Sequence, residues 1–355
     1  MKEKIVVGLS GGVDSSVAAY LLKEQGYEVI GMTMVNFRTT DGEPKEEKIA
    51  QDGARAAEFL GIPHYVVDAC AKFQKHVVNY FINEYISGRT PNPCVICNRY
   101  IKWKAMMEQA EALGARLLAT GHYGGVEQLS NGRYALKCDL SSTKDQTYAL
   151  YGLNQEQLSR TRMPLCGKTK EEVREIAAKA GIPAANQPDS MEICFIPDQD
   201  YAGFIQRNTD ITLPKGNYVS MDGEILGEHQ GIIHYTVGQR KGLNLAMGRP
   251  VFVTEIRPDT NEVVIGDNAD VFAQSLVCSH INAMSVPEFT EGLEVIAKIR
   301  YNHKGAPAVL SPTGKDRLTV RFREPQRAIT PGQAVVFYKD GYVAGGGIIE
   351  GAVKE

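Results

Sequence analysis

The amino-acid sequence predicts an α/β fold: an N-terminal doubly wound parallel sheet, a small central domain and a C-terminal β-barrel. Three observations carry this expectation. Strand and helix signals alternate over residues 1–200, the order that gives a parallel sheet covered by helices on both faces. A glycine-rich turn bearing hydroxyls follows the first strand. After about residue 197, glycines, turn signals and short alternating runs replace the helices, as in small all-β domains. A chain of 355 residues suits two or three domains. The composition shifts divide it into 1–200, 201–275 and 276–355.

The elements follow in order. Ile5 to Leu9 is a short apolar run suited to a buried parallel strand. Ser15 to Lys23 reads as a helix with Val17, Ala18, Leu21 and Leu22 along one side. Glu28 to Met34 is the second strand, and Glu46 to Leu60 a helix stopped by Gly61 and Pro63. Tyr65 to Val67 is the third strand, covered like the others by helices. Phe73 to Ile86 and Tyr100 to Leu113 are helices, and Leu117 to Ala119 is the fourth strand, running into Thr120-Gly-His-Tyr123. Helical patterns return at Gln155 to Ser159 and Lys170 to Ala180. Further on, Met221-Asp-Gly223, Pro258-Asp-Thr-Asn261, Pro312-Thr-Gly314 and Lys339-Asp-Gly341 read as turns. Val295 to Tyr301, Leu318 to Phe322 and Ala334 to Tyr338 read as strands.

Composition narrows the class. Hydrophobic residues make up 43% and charged ones 23%, which is globular usage and not disorder. No apolar run approaches the roughly 18 residues of a membrane span, and Met1 to Ser10 carries no signal-peptide core. A cytoplasmic protein without a membrane partner is expected. The 7 cysteines are odd in number and scattered, which argues against a disulfide framework. In a reducing compartment a close cysteine pair is metal-binding or catalytic. The net charge of −3 speaks against a general nucleic-acid coat. Basic residues do gather between Lys298 and Arg327, a run that by itself reads as a solvated face.

The first chemical signal is Gly8-Leu-Ser-Gly-Gly-Val-Asp-Ser-Ser16. It fits neither the dinucleotide pattern nor a Walker A loop. What remains is a strand, a tight Gly-Gly turn and a helix start carrying Ser10, Ser15 and Ser16. Glycines let the backbone approach an anion, and the helix N-terminus holds its charge. The second signal is Cys94-Val-Ile-Cys97 behind Pro91-Asn-Pro93. The pair alone allows a metal site, a redox pair or a nucleophile with a neighbour. Cys70, Cys138, Cys166 and Cys278 lack motif context and read as buried small residues.

Ser10 to Ser15 resembles the pyrophosphate loop of ATP pyrophosphatases, the adenine nucleotide alpha hydrolase-like enzymes that split ATP into AMP and pyrophosphate to adenylate a substrate. Three further strings narrow the likeness: Gly88-Arg-Thr-Pro-Asn-Pro-Cys-Val-Ile-Cys-Asn98, Asp189-Ser-Met-Glu-Ile-Cys-Phe-Ile-Pro197 and Ile233-His-Tyr-Thr-Val-Gly-Gln-Arg-Lys-Gly-Leu243. With Thr120 to Tyr123, Lys144 to Tyr148 and Ile329 to Gln333, they resemble the bacterial tRNA-uridine 2-sulfurtransferase family over nearly the whole chain. The family replaces the C2 oxygen of the wobble uridine of tRNA with sulfur. The resemblance implies ATP and Mg2+, with Gly8, Leu9, Ser10, Gly11, Gly12, Val13, Asp14 and Ser15 on the nucleotide and Met34 and Gly121 flanking the adenosine. Asp14 is expected to organise magnesium and pyrophosphate. It implies Cys194 as carrier of a persulfide from a sulfur-donor protein of a cysteine desulfurase relay. Cys97 is then the nucleophile, closing a transient disulfide with Cys194. Asn92, Pro93 and Cys94 would face the flipped-out base. His122, Lys144, Asp145, Gln146, Arg300, Tyr301 and Gln333 would contact tRNA, with the basic run as a phosphate-contacting surface.

At one position the chain departs from the family pattern, which has Asp-x-x-Cys where this chain has Cys94-x-x-Cys97. Three readings stay open: Cys94 lines the uridine pocket, or joins Cys97 and Cys194 in holding an iron–sulfur cluster with one open iron, or acts as a resolving thiol. Two other functions share parts of the sequence. A small-molecule ligase of the argininosuccinate-synthetase kind has the loop but needs no cysteine pair. A non-catalytic RNA-binding protein would have no use for an intact loop.

Overall fold

The computed structural model describes residues 2–38, 45–139, 144–183, 193–196, 198–211 and 213–353. Of the Asp189–Pro197 string, residues 193–196 are described; Asp189 to Glu192 and Pro197 lie outside.

The N-terminal sheet has strand order β3-β2-β1-β4-β7, with β1 Lys4–Gly8, β2 Glu28–Val35, β3 His64–Asp68, β4 Leu117–Ala119 and β7 Thr161–Arg162. Every pairing is parallel. Alternate side chains of a strand point to opposite faces, and the packing shows both faces covered. Val6, Ile30, Met32 and Leu118 pack with Trp103, Met106 and Ala110 of α6 (Trp103–Ala112). Ile5, Val7, Leu117 and Ala119 pack with Ala19 and Leu22 of α1 (Val13–Glu24) and with Ala56 and Ala57 of α2 (Lys45–Leu60). The sheet is therefore doubly wound. β3 departs from the expectation. It is the edge strand, and Tyr65 and Val66 are 41% and 52% exposed.

Two helices begin earlier than their sequence patterns. The chain is helical from Cys70, with a π-helical turn at Gln74–Val78 before Asn79–Ile86. The second starts at α5, Pro93–Cys97, and passes through a π-helical turn, Asn98–Lys102, into α6. Asn92 supplies the N-cap, its Oδ1 accepting from the Cys94 N–H at 3.1 Å, and Pro93 occupies the first turn, where a missing N–H is harmless. Cys94 and Cys97 thus share one helix face.

The central domain is a sheet of β8 (Gly216–Ser220), β9 (Ile225–His229), β10 (Phe252–Arg257) and β11 (Glu262–Gly266), in the order β10-β11-β8-β9. The C-terminal strands β12 (Phe272–Ala283), β15 (Arg317–Arg327), β14 (Ala306–Gly314), β13 (Leu293–Lys298), β16 (Ala334–Lys339) and β17 (Tyr342–Val353) close into a barrel through β12–β17 pairing. Pro312 and Gly314 stay within β14, and the chain reverses just beyond them. A hairpin from the N-terminal domain, Gly125–Gln128 with Tyr134–Lys137, joins the barrel sheet through Tyr342 and Lys137. Its Asn131-Gly132 turn was a legible hairpin signal. Tyr148, Leu150 and Tyr151 share one apolar core with Ala334, Val336 and Tyr338 of the barrel.

Candidate active site

The carboxyl edge of the sheet gathers the glycine loop, the end of β2 and the end of β4, since β1 lies between β2 and β4. Strand order reverses between β1 and β4, the place where open α/β sheets bind ligands. Leu9 N–H donates to Met32 O at 2.8 Å, and Thr33 Oγ1 donates to Leu9 O at 2.5 Å. Gly11 holds a positive φ of 77°, a turn natural to glycine. Ser15 Oγ lies 3.2 Å from both Ser10 N and Ser10 Oγ, and it donates to Gly12 O at 3.1 Å. Gly12 caps α1 without a side chain, so the first-turn amides face outward for an anion. A Cβ on Gly121 would stand 2.7 Å from Asp14 C and Ser15 N. The end of β4 thus lies directly against the loop, as the expected pairing of Gly121 with the nucleotide requires.

Asp14 differs from its expected role. Its carboxylate accepts from Lys170 Nζ at 2.7 and 2.8 Å and from the Tyr123 hydroxyl at 2.7 Å. With both oxygens taken by an ammonium, it does not fit a magnesium ligand here, and no step is routed through a protein-held ion. At the end of β2, where the adenosine is expected, Met34 is partly buried. Two residues on, Oδ1 of Asn36 is buried without a hydrogen-bond partner among the described residues. Buried acceptors are seldom left unpaired, and this one suits a donor such as an adenine amine.

Cys97 packs beside the segment that carries Cys194, since Ile193, Phe195 and Ile196 share its apolar cluster. Cys97 and Ile193 pack on the same apolar cluster as Met34, so the end of β2 and the cysteine helix rest on one core. Burial pushes the Cys97 thiol up to about 11, with Lys102 opposing. Burial likewise pushes Cys194, which keeps exposed surface, up to about 12, and the neighbouring Cys97 and Cys94 add to this. Burial raises exposed-edged Cys94 as well. Lys102 favours the thiolate at all three positions, and with burial it holds His122 neutral, well below the ordinary imidazole range. Sequence reasoning missed Lys102. The signal was the π turn, which brings residues five apart onto one side. Among the described residues, no three His, Cys, Asp or Glu side chains are grouped to hold a metal ion. The donors in this arrangement do not fit an iron–sulfur cluster, and none is used below. Of the cysteines read as buried, Cys278 is buried, Cys70 and Cys138 are partly so, and Cys166 is exposed. Cys166 lies in the turn after Met163, where Met163 and Leu165 pack inward and Cys166 stays at the surface.

The residues assigned to tRNA contact divide. Tyr301 is 39% exposed and stands edge-on to Tyr148, with ring centroids 6.0 Å apart. Asp145 is turned inward, accepting from Thr147 N, Thr147 Oγ1 and Asp139 N. Gln146 accepts from Tyr123 N at 3.0 Å, and His122 Nδ1 meets Thr120 Oγ1 at 2.9 Å. Arg300 donates to Arg327 O at 3.0 Å. Gln333 spends its amide on Thr90 O at 2.8 Å and Pro91 O at 3.3 Å. The basic run is not one surface. Arg317 and Arg323 pair with Glu350 and Glu294, and Arg327 stacks over Phe252 of the central domain at 5.1 Å.

Comparison with known proteins fits this geometry. Family models match residues 3–198 (tRNA methyl transferase HUP domain), 203–267 (tRNA methyl transferase PRC-barrel domain) and 273–349 (aminomethyltransferase beta-barrel domain). The tRNA-specific 2-thiouridylase MnmA of Lachnoclostridium phytofermentans is 55% identical over 98% of this chain and 99% of its own. That of Clostridium perfringens is 50% identical over the same shares, and MnmA 1 of Caldanaerobacter subterraneus is 49% identical over the full length of both. The chain is a member of the tRNA-specific 2-thiouridylase family.

Proposed function

We propose that this enzyme thiolates the wobble uridine of tRNA at C2, using ATP to activate the oxygen and a cysteine persulfide to supply sulfur. The observation that carries the reading is a shared support: Met34 at the nucleotide edge and Cys97 on the cysteine helix pack against one apolar cluster. The uracil O2 attacks the α-phosphorus, the bond to the β-phosphate breaks, and pyrophosphate leaves with the electron pair. The ring carbon then carries AMP, a far better leaving group than oxide. Magnesium carried in with ATP would offset phosphate charge.

Sulfur follows from the other side of the cleft. A donor protein leaves a persulfide on Cys194. Cys97 thiolate attacks the inner sulfur, hydrosulfide departs with the electron pair, and a Cys97–Cys194 disulfide forms. Hydrosulfide attacks C2 and expels AMP. The persulfide sulfur is reduced and the two cysteines are oxidised, so an external dithiol must reduce the disulfide before the next turnover. Lys102 stabilises the attacking thiolate. Cys94 lines the pocket that takes the flipped base. Asn92 holds that helix start through its cap.

The test is AMP, pyrophosphate and 2-thiouridine measured together with and without tRNA. All three should depend on tRNA. A small-molecule ligase would release AMP without it, and a binding protein would release none.

A further inference from the structure

A cavity of about 580 Å3 opens between the N-terminal and central domains. Thr90, Pro91 and Ile193 line it from the first, and His234, Thr236 and Gln239 from the second. It gathers pieces of the Gly88–Asn98, Asp189–Pro197 and Ile233–Leu243 strings. Adenylation and sulfur release draw on the first two strings and leave the third without a role. Hydrogen bonds set the wall in advance. Gln239 Oε1 accepts from Thr236 N at 2.9 Å, and its amide donates to Lys241 O at 3.1 Å. Thr236 Oγ1 meets Thr90 Oγ1 at 3.1 Å, which ties the central-domain turn to the N-terminal domain. The lining divides by chemistry. Pro91, Ile193 and Tyr201 offer apolar and aromatic surface. His234 is the polar tip, and among the described residues neither ring nitrogen is spent on a hydrogen bond. Burial lowers its imidazole from the ordinary value, with Asp200 opposing, and a neutral ring offers one donor and one acceptor. No lysine or arginine lines the cavity among the described residues. Arg240 and Lys241 follow Gln239 directly, are exposed, and pair with no carboxylate among the described residues.

An apolar cavity with a hydrogen-bonding tip and cations beside it matches a nucleotide, base inside and phosphate outside. A phosphate would not enter, because Asp200 brings a negative charge to the lining. Place narrows the choice of nucleotide. Pro91 directly precedes Asn92, the cap of the cysteine helix, and Ile193 directly precedes Cys194. We propose that this cavity receives the base of a nucleotide adjoining the target uridine in tRNA, with Arg240 and Lys241 on its phosphate. This rests on the thiolation reading above and names a second contact for the same substrate. Reading one base beyond the target lets the enzyme choose among tRNAs that share a wobble uridine.

The experiment measures Kd for a substrate tRNA and for two copies of it, each with an abasic site on one side of the wobble uridine. Wild type is compared with His234→Ala and with the Arg240→Gln/Lys241→Gln double variant. In wild type one of the two abasic sites should weaken binding by about tenfold or more, as loss of a stacked base does. His234→Ala should weaken intact tRNA by about fivefold and should not weaken that abasic tRNA further. The double variant should weaken all three RNAs alike, by about tenfold, and flatten the salt dependence of binding. Wild type that binds both abasic tRNAs as tightly as the intact one would overturn the proposal, and this arm needs no variant to fold. Equal losses on all three RNAs in His234→Ala would leave that residue a structural wall and would overturn it too. Unchanged tRNA binding in both variants, with thiolation from a persulfide donor protein reduced, would give the cavity to that donor instead. Wild type that forms no 2-thiouridine would overturn the thiolation reading itself; an active wild type indifferent to both neighbouring bases would overturn the role of the cavity alone.

Discussion

The side-chain amide of Gln333, on the barrel, donates to the carbonyl of Thr90 at 2.8 Å across 243 residues of sequence. The same segment is held from two more directions. Thr90 N–H donates to Pro331 O at 2.8 Å, and Thr90 Oγ1 meets Thr236 Oγ1 of the central domain at 3.1 Å. All three domains therefore converge two residues ahead of Asn92, which caps the cysteine helix. Gln333→Ala should lower kcat for thiolation by about tenfold or more, because small misplacements of reacting groups are costly. KM for tRNA should move little. A change confined to KM would make Gln333 a direct tRNA contact instead.

Cys194→Ser should leave tRNA-dependent AMP formation intact and abolish 2-thiouridine. The glycine loop and the sulfur carrier belong to separate segments, residues 8–16 and 193–196. Nucleoside analysis of the treated tRNA checks this; thiouridine at wild-type level would remove the persulfide from Cys194.

Sulfur release should quicken with pH. The Cys97 thiol, at about 11, is mostly protonated at neutrality, and only the thiolate attacks. Below that value the thiolate fraction grows about tenfold per pH unit. Single-turnover release from enzyme preloaded with persulfide should therefore rise with a slope near that from pH 7 to 9. Lys102→Met removes the charge that favours the thiolate and should slow release by about tenfold at a given pH, on the order of one pKa unit. A flat profile in wild type would point to a different nucleophile.

Cys94→Asp should keep thiolation within about fivefold of wild type, a change near 1 kcal/mol, because an acidic side chain fits a pocket wall. Iron and labile sulfide assayed in anaerobically purified protein give the other arm. A stoichiometric cluster lost in this variant, with activity lost alongside, would make Cys94 a ligand.

Gly121→Ala should raise KM for ATP and reduce stability by about 1–3 kcal/mol. The added carbon would meet Asp14 and Ser15 backbone at 2.7 Å, and backbone cannot swing aside as a flexible side chain can. Thermal unfolding with and without ATP measures both effects.

Local pattern determined much of this protein. Short apolar runs separated by helical periods made the parallel sheet legible, and the Ser10-to-Ser15 turn placed the nucleotide edge, since both signals lie within one strand–turn–helix unit. The paired cysteines were visible too, though their helix, begun at Pro93 by the Asn92 cap, was not. Tertiary structure alone decided the rest. It set Lys170 on Asp14, Gln333 on Thr90 and Tyr301 against Tyr148, and it split the basic run between ion pairs and the central domain. These partners lie far apart in sequence, and none shares a local period or motif with its mate. Each is chosen by how separately folded layers pack, and a one-dimensional pattern carries no record of that.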